Sequence, residues 1–340
     1  MKAVSVLSVL ATVVSVQAWW DNGHQLVGEV ATQLLAKEDV ATIQSVLGTW
    51  NDDYPNTGEI TTATIWADLI KCESVKSTYC PSPTKPAVRY MDDWHYVNLP
   101  TNVNGSDWHG LTSKDVDLLI KAILDGRGLY TLQQSLRTIA KSKSAWSANF
   151  VLRFFLHVFG DVHQPCHSTV GISDKFPDGD VGGNLYRFVQ PCSASNLHAI
   201  WDNAAGTFTS NWHPTSLPGS PDRLALTANA TALLQKYADK PDVLNYAQYA
   251  KLSYADFTKA VATDKVLEKT LLDTYDVARS VVYVGLDLTN WTESKVACPS
   301  AAYQATLVAT VEARIVLAGK RMAVVLAQFA KQFRAQGLAQ

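Results

Sequence analysis

The run from Phe150 to His167, FVLRFFLHVFGDVHQPCH, constrains this chain more than any other stretch. Its apolar residues recur at helical spacing, yet His157 and Asp161 stand four apart inside it, so both project from one face of a single helix. Burying an imidazole beside a carboxylate is costly unless a partner compensates them. Pro165 ends the helix and lets the chain bend back, which carries His167 toward that same face. A second run, NLHAIWD from Asn196 to Asp202, repeats the spacing with His198 and Asp202. A single histidine on an apolar face is ordinarily a core residue bonded to a carbonyl. Three of them, each with an aspartate nearby, read instead as metal ligands, and imidazole with carboxylate suits zinc.

The remainder of the chain predicts a scaffold for such a site. With 340 residues, 47% hydrophobic and 18% charged, it has the composition of a globular protein with a large core. Helical periodicity covers Gln25–Leu47, with Gly48 as a stop, then Ile60–Lys71, Ser113–Asp125, Leu129–Lys141 and Ser144–Phe159. It returns at Asp222–Tyr237, Ser253–Ala262, Leu267–Val284 and Ala302–Phe333. Two long loops intervene. Cys80–Trp108 is interrupted by the aromatic piece Trp94-His95-Tyr96-Val97-Asn98, and Ser168–Ser195 contains Gly182-Gly183-Asn184 and room for a short hairpin around Leu185–Val189. No repeat or linker divides the chain, so the expected architecture is one mostly α domain spanning residues 19–340.

Compartment follows from the N-terminus. Lys2, the apolar run Val4–Val16 and the small residue Ala18 have the layout of a secretory signal peptide over residues 1–18, leaving Trp19 as the first mature residue. Export is consistent with three sequons, at Asn104, Asn229 and Asn290, and with disulfides among Cys72, Cys80, Cys166, Cys192 and Cys298. Cys72 with Cys80 is the expected short bridge. Charges interrupt the apolar face of Ala305–Ala330, so no membrane anchor is expected. The formal charge of −2 gives no general basic surface, so an anionic partner must be attracted locally.

Trp19, His24, Asp68 and His95 also fall in apolar or aromatic settings where a polar group needs a partner. Taken in order, Trp-x4-His, Trp-Ala-Asp, Trp-His-Tyr, His-x3-Asp-x5-His and His-x3-Asp, the set resembles the class I nucleases of fungi, plants and protists. The likeness runs from Trp19 to the C-terminal helix near Ala323. It implies a secreted, monomeric, single-domain helical enzyme of the zinc phospholipase C and class I nuclease type, holding three Zn²⁺. One zinc is then expected on Asp68, His95, His157 and Asp161; a second on His167, His198 and Asp202; a third on the amine and carbonyl of Trp19 with His24 and Asp161. Three such ions against three aspartates leave roughly +3 of charge for a phosphodiester.

The same resemblance implies endonuclease action on single-stranded DNA and RNA, giving 5′-phosphorylated products, and cleavage of 3′-nucleotides. Lys71 and Asn184 are expected at the phosphate and Tyr96 stacked on a base. Asn98 departs from the aspartate of well-known fungal members, so base preference does not carry over. His163 is expected outside the ligand set, contacting a ligand or exposed. Two rivals remain at this level. A zinc phospholipase C would have a longer Trp-to-His gap and Glu in place of Asp202. A secreted zinc-binding protein without turnover would not need open coordination positions.

Overall fold

A computed structural model describes residues 19–71, 89–103, 120–121, 123–124, 127–208, 217–288 and 295–339. The signal segment, the Cys72–Cys80 pair, the sequons at Asn104 and Asn290 and most of Ser113–Asp125 lie outside the described residues. Asn229 of the remaining sequon is exposed.

One helix organises the rest. Helix α11 (Ala301–Gln336) is 36 residues long, about 54 Å at 1.5 Å per residue. The Ser300 hydroxyl caps it by accepting the Tyr303 N–H at 3.2 Å. Gly337, at φ 68°, closes it with the Leu338 N–H donating to the Phe333 carbonyl at 3.0 Å. Against it packs α1 (Asp21–Leu34), so closely that a Cβ on Gly319 would lie 2.3 Å from Val30. Helix α2 (Lys37–Gly48) follows on the same flank. The periodicity predicts one helix here, but Leu35 and Ala36 are extended and break it into two.

Ile60–Lys71 also divides, into the single turns α3 (Ile60–Ala63) and α4 (Trp66–Leu69). Ile60, Thr61, Thr62, Thr64 and Ile65 are β-branched, which disfavours an uninterrupted helix. The gap leaves the Thr64 carbonyl available to the site described below. Strands β1 (Leu99–Asn102) and β2 (Thr169–Ile172) form a two-stranded parallel sheet, with Leu99 opposite Thr169. Between them lie α5 (Arg127–Lys141) and α6 (Ala145–Asp161), an adjacent helical pair.

Helix α6 is apolar nearly all round and correspondingly buried, with Phe154, Phe155 and Phe159 in the core. Even Arg153 is fully buried, its guanidinium 5.5–5.9 Å from the rings of Trp50, Tyr54 and Trp66 and hydrogen-bonded to the carbonyls of Leu47 and Thr57.

Beyond the second loop come α7 (Leu197–Asp202), α8 (Pro221–Lys236), α9 (Tyr254–Thr263) and α10 (Val266–Val277). A π-helical turn over Ala278–Val282 extends α10. The hairpin around Leu185–Val189 is replaced by isolated bridges, Arg187 antiparallel to Asn196 and Phe188 parallel to Val296. A disulfide between Cys192 and Cys298 ties that loop to the approach to α11, and Cys166 is free and buried. The architecture is thus mostly α, as expected. Among the described residues no helix is long and apolar enough to cross a membrane.

Candidate metal centre

Helix α6 delivers His157 and Asp161 to one point at its C-terminal end, both fully buried. His24 arrives from the first turn of α1, Asp68 from α4, and His95 from the 3-10 turn Arg89–His95. Around Asp161 the contacts are short: His24 Nε2 is 3.2 Å from Oδ1, while His95 Nδ1 and His157 Nε2 are 3.1 and 3.4 Å from Oδ2. Asp68 lies 3.6 Å from His157 Nε2 and 3.7 Å from His95 Nδ1. His95 Nδ1 and His157 Nε2 are 3.0 Å apart.

A second cluster adjoins the first. His167, in the 3-10 turn Pro165–His167, places Nε2 3.1 Å from Nε2 of His198, which is 3.5 Å from Asp202 Oδ2. Zinc bonds of 2.0–2.1 Å in a tetrahedron separate ligand atoms by about 3.3 Å. The observed spacings bracket that value, and they join ring nitrogens to one another, where ordinary core packing would provide a hydrogen-bond acceptor.

Three sets of ligand atoms close enough to share an ion result: His24 with Asp68 and His157; His95 with His157 and Asp161; His167 with His198 and Asp202. The first set draws His24 toward Asp68, whereas the family resemblance implies a pairing with Asp161. The 3.2 Å contact to Asp161 is the more direct of the two. Both oxygens of Asp161 and both ring nitrogens of His24 are buried without a hydrogen-bond partner. Orphaned polar atoms at this depth are rare in native proteins and fit a cation between them.

Backbone carbonyls aim the rings. His157 Nδ1 donates to the Thr64 carbonyl at 2.5 Å, His167 Nδ1 to that of His95 at 2.7 Å, and His198 Nδ1 to that of Gly182 at 2.8 Å. Each bond fixes the tautomer with Nε2 unprotonated and facing its cluster. Burial keeps the rings uncharged: desolvation lowers His24 to about 4 and lowers His95, His157 and His167 as well. These four imidazoles are therefore neutral at neutral pH, the form that can bind a metal. Burial pushes Asp161 and Asp202 upward. Burial also raises Asp68, but the Lys71 ammonium and the surrounding imidazoles outweigh it, and the net displacement is downward.

Of the expected substrate residues, Lys71 and Asn184 are buried and Tyr96 and Asn98 half-buried. Lys71 Nζ is 2.7 Å from Asp68 Oδ1 and 5% exposed. Tyr96 and Asn98, both half-buried, flank buried Val97, whose N–H donates to the His167 carbonyl at 2.8 Å. The side chain of Asn184 donates from Nδ2 to the Val181 carbonyl at 2.9 Å. Trp19 is 1% exposed, and the Trp20 N–H donates to the Asp202 carbonyl at 3.4 Å, which sets this segment beside the second cluster.

Several contributors escape sequence reasoning. Gln164 is fully buried, donates from Nε2 to Asp202 Oδ1 at 2.6 Å and accepts the Cys166 N–H through Oε1. Its place two residues before a cysteine gives no signal of this. A Cβ on Gly160 would lie 2.9 Å from His24 Nδ1, so the small residue lets α1 approach. Gly182 (φ 61°) follows Val181 (φ 57°), a β-branched residue in the left-handed region. His163 is not exposed. It is fully buried, with Nδ1 donating to Phe159 and Nε2 accepting from Arg321 Nη1 at 3.2 Å.

Fold and site together define a helical protein whose polar interior is a contiguous His and Asp cluster of metal-binding type. Its sequence matches the S1/P1 Nuclease family over residues 19–331, and the chain belongs to that family, which is zinc-dependent in general. Among similar proteins are Endonuclease 2 of Arabidopsis thaliana, 24% identical over 215 residues, and Endonuclease 1 of the same plant, 26% identical over 201. These matches cover 62% and 57% of this chain and 64% and 56% of the relatives' own length.

Proposed function

We propose that this protein is a secreted endonuclease that hydrolyses phosphodiester bonds of single-stranded DNA and RNA, and also acts on 3′-nucleotides, with three Zn²⁺ at the cluster. The supporting observation is Asp161, whose two oxygens face different imidazoles and have no hydrogen-bond donor. That is the arrangement of a carboxylate shared between ions. Asp68, His95, His157 and Asp161 would hold one zinc, His167, His198 and Asp202 a second, and His24 and Asp161 a third with the amine and carbonyl of Trp19. When bound, such ions polarise phosphoryl oxygens and bring the pKa of water toward neutrality.

The chain's own groups do the positioning. Lys71 supplies a positive charge beside Asp68, which suits it to a phosphate oxygen. The Asn184 amide keeps a second N–H for the same group. Tyr96 offers a ring face to a base, and Asn98, two residues on, can both donate and accept at a base edge. The Cys192–Cys298 disulfide supports passage through an oxidising compartment. Asp202 and the half-buried Tyr96 favour this reading over a phospholipase C.

Incubating the zinc-loaded protein with single-stranded DNA, RNA, a 3′-nucleotide and phosphatidylcholine tests the proposal. Turnover of the first three supports it; turnover of the lipid alone, or none at all, sinks it. The Trp19 assignment has its own test. Its α-amine becomes a ligand only once freed from Ala18, with an ordinary pKa of ~7.7–8.0 within reach of a metal. Chains beginning at Ala18 and at Trp19 should differ by one bound zinc, and equal stoichiometry would remove the amine from the site.

A further inference from the structure

Helices α5 and α6 form a hairpin with one open end beside Tyr96 and the other at Asp161. Helix α5 begins where the Gly128 N–H donates to the Tyr96 carbonyl at 3.3 Å, and α6 finishes at Asp161. Each leg is 15 or 17 residues, so the turn joining them stands roughly 20–25 Å from the centre.

Along α5, Arg127, Tyr130, Gln134, Arg137 and Lys141 recur every three or four positions and form one stripe. All but Gln134 are exposed. Past the turn follow exposed Lys143 and then Trp146, 61% exposed and stacked on Phe150 at 5.3 Å with an interplanar angle of 6°. Tyr130, 50% exposed, borders a shallow slot of about 70 Å³ walled by Trp94, Phe150 and Phe154.

From Arg127 to Gly160 there is no Asp or Glu, in a chain where acidic residues outnumber basic ones 31 to 29. At the inner end the Arg127 guanidinium lies 5.2 Å over the ring of Tyr96. Exposed aromatics occurring singly need no explanation. Here they alternate with cations in a line that reaches the base-stacking candidate.

We propose that this stripe is a track for the single-stranded polynucleotide beyond the scissile bond, with Tyr130 and Trp146 stacking bases and Arg137, Lys141 and Lys143 meeting phosphates. It deepens the proposed function and rests on it. A polyanion is attracted by the local charge despite the net −2, and every base has a π-face, so the track is sequence-tolerant. An anionic membrane would also meet the cations, but the continuity with Tyr96 favours an extended strand.

The test compares kcat/KM on a 20-nucleotide oligothymidylate with that on a thymidine dinucleotide. The proteins are the zinc-loaded wild type, the Tyr130→Ala/Trp146→Ala double variant and the Arg137→Glu/Lys141→Glu/Lys143→Glu triple variant. The 20-mer to dinucleotide ratio should fall at least about tenfold in both variants, and Trp146→Phe should retain it. Losing three phosphate contacts should also flatten the logarithmic salt dependence by about 2 in the triple variant alone. Thermal unfolding by circular dichroism excludes misfolding, which exposed positions make easy to satisfy. A ratio within twofold of wild type overturns the track, as does binding to phosphatidylserine vesicles that only the wild type shows while the ratio stays put. If the wild type hydrolyses neither substrate, the proposed function fails on its own. Fluorescence anisotropy of the uncleaved 20-mer with the same variants then decides the track: equal affinities reject it and weakened ones keep it.

Discussion

Replacing Asp180 by Asn should make the protein more resistant to unfolding as pH rises. Asp180 opens the loop that carries Gly182 and Asn184, and it is fully buried. Oδ1 accepts the Gly171 N–H and Oδ2 the Tyr283 hydroxyl, both at 2.8 Å. Burial dominates and raises the carboxyl from an ordinary 3.8 to about 6, with the bonds from Gly171 and Tyr283 drawing it only partly back. A folded pKa above the unfolded one means that the folded state holds the extra proton. Stability from this group is therefore full below about pH 4 and is lost as pH rises through about 6. At about 1.4 kcal/mol per pH unit, the loss approaches 3 kcal/mol by pH 7.5. Asparagine keeps an oxygen for Gly171 and turns its amide toward Tyr283, whose hydroxyl can rotate to accept. It does not titrate. In urea unfolding of the zinc-loaded proteins, the stability of Asp180→Asn minus that of wild type should rise by about 3 kcal/mol between pH 4 and pH 7.5; the His and Asp cluster, common to both, cancels in that difference. A flat or falling difference would refute the burial argument.

Gln164→Leu should weaken zinc binding roughly 10- to 100-fold, measured by chelator competition, because Asp202 Oδ1 loses its buried donor. Gly182→Ala should cost at least about 2 kcal/mol in denaturant unfolding and release zinc, since the added Cβ lands 2.7 Å from the Cys166 carbonyl at a positive φ of 61° and displaces the carbonyl that aims His198. Asn98→Asp should change the relative hydrolysis rates of the four 3′-nucleotides several-fold at unchanged zinc content; identical rate ratios would remove Asn98 from the base site.

Where the sequence was legible, it was because a periodicity met a chemical oddity. His157 with Asp161 and His198 with Asp202 stand out as polar pairs on apolar helical faces, and they lie together as that spacing requires. The long helices behave likewise, and α11 extends the expected Ala302–Phe333 by only a turn. Interactions between segments distant in sequence are the illegible part. Cys192 and Cys298 are 106 residues apart, and nothing local pairs them. His163 sits among ligands in sequence, but Asp161 is the last residue of α6, and two steps past it the ring turns to Arg321 of α11. The splitting of Ile60–Lys71 is half legible: β-branching weakens the helix, but only the fold shows that the freed Thr64 carbonyl holds His157.

That last contact reveals how the site is kept rigid. Of the five imidazoles at the two clusters, three take their orientation from carbonyls of Thr64, His95 and Gly182, all in irregular backbone or at the end of a short turn. A carbonyl inside a helix is already committed to an N–H four residues on and is a poor anchor for a ring. Helices α1, α6 and α7 therefore bring the ligands to the right places, while the breaks between short elements set the direction of their lone pairs. The loop around Gly182 shows the cost of that division, because the carbonyl that aims His198 follows a valine held at φ 57°. Such a conformation persists only where neighbours over-determine it, and the Asp180 bonds to Gly171 and Tyr283 supply that constraint from strand β2 and from the segment following the π-helical turn. Irregularity here is accordingly what orients the candidate metal site, and substitutions that regularise Thr64 or Gly182 would preserve the helices while turning the His157 and His198 rings away.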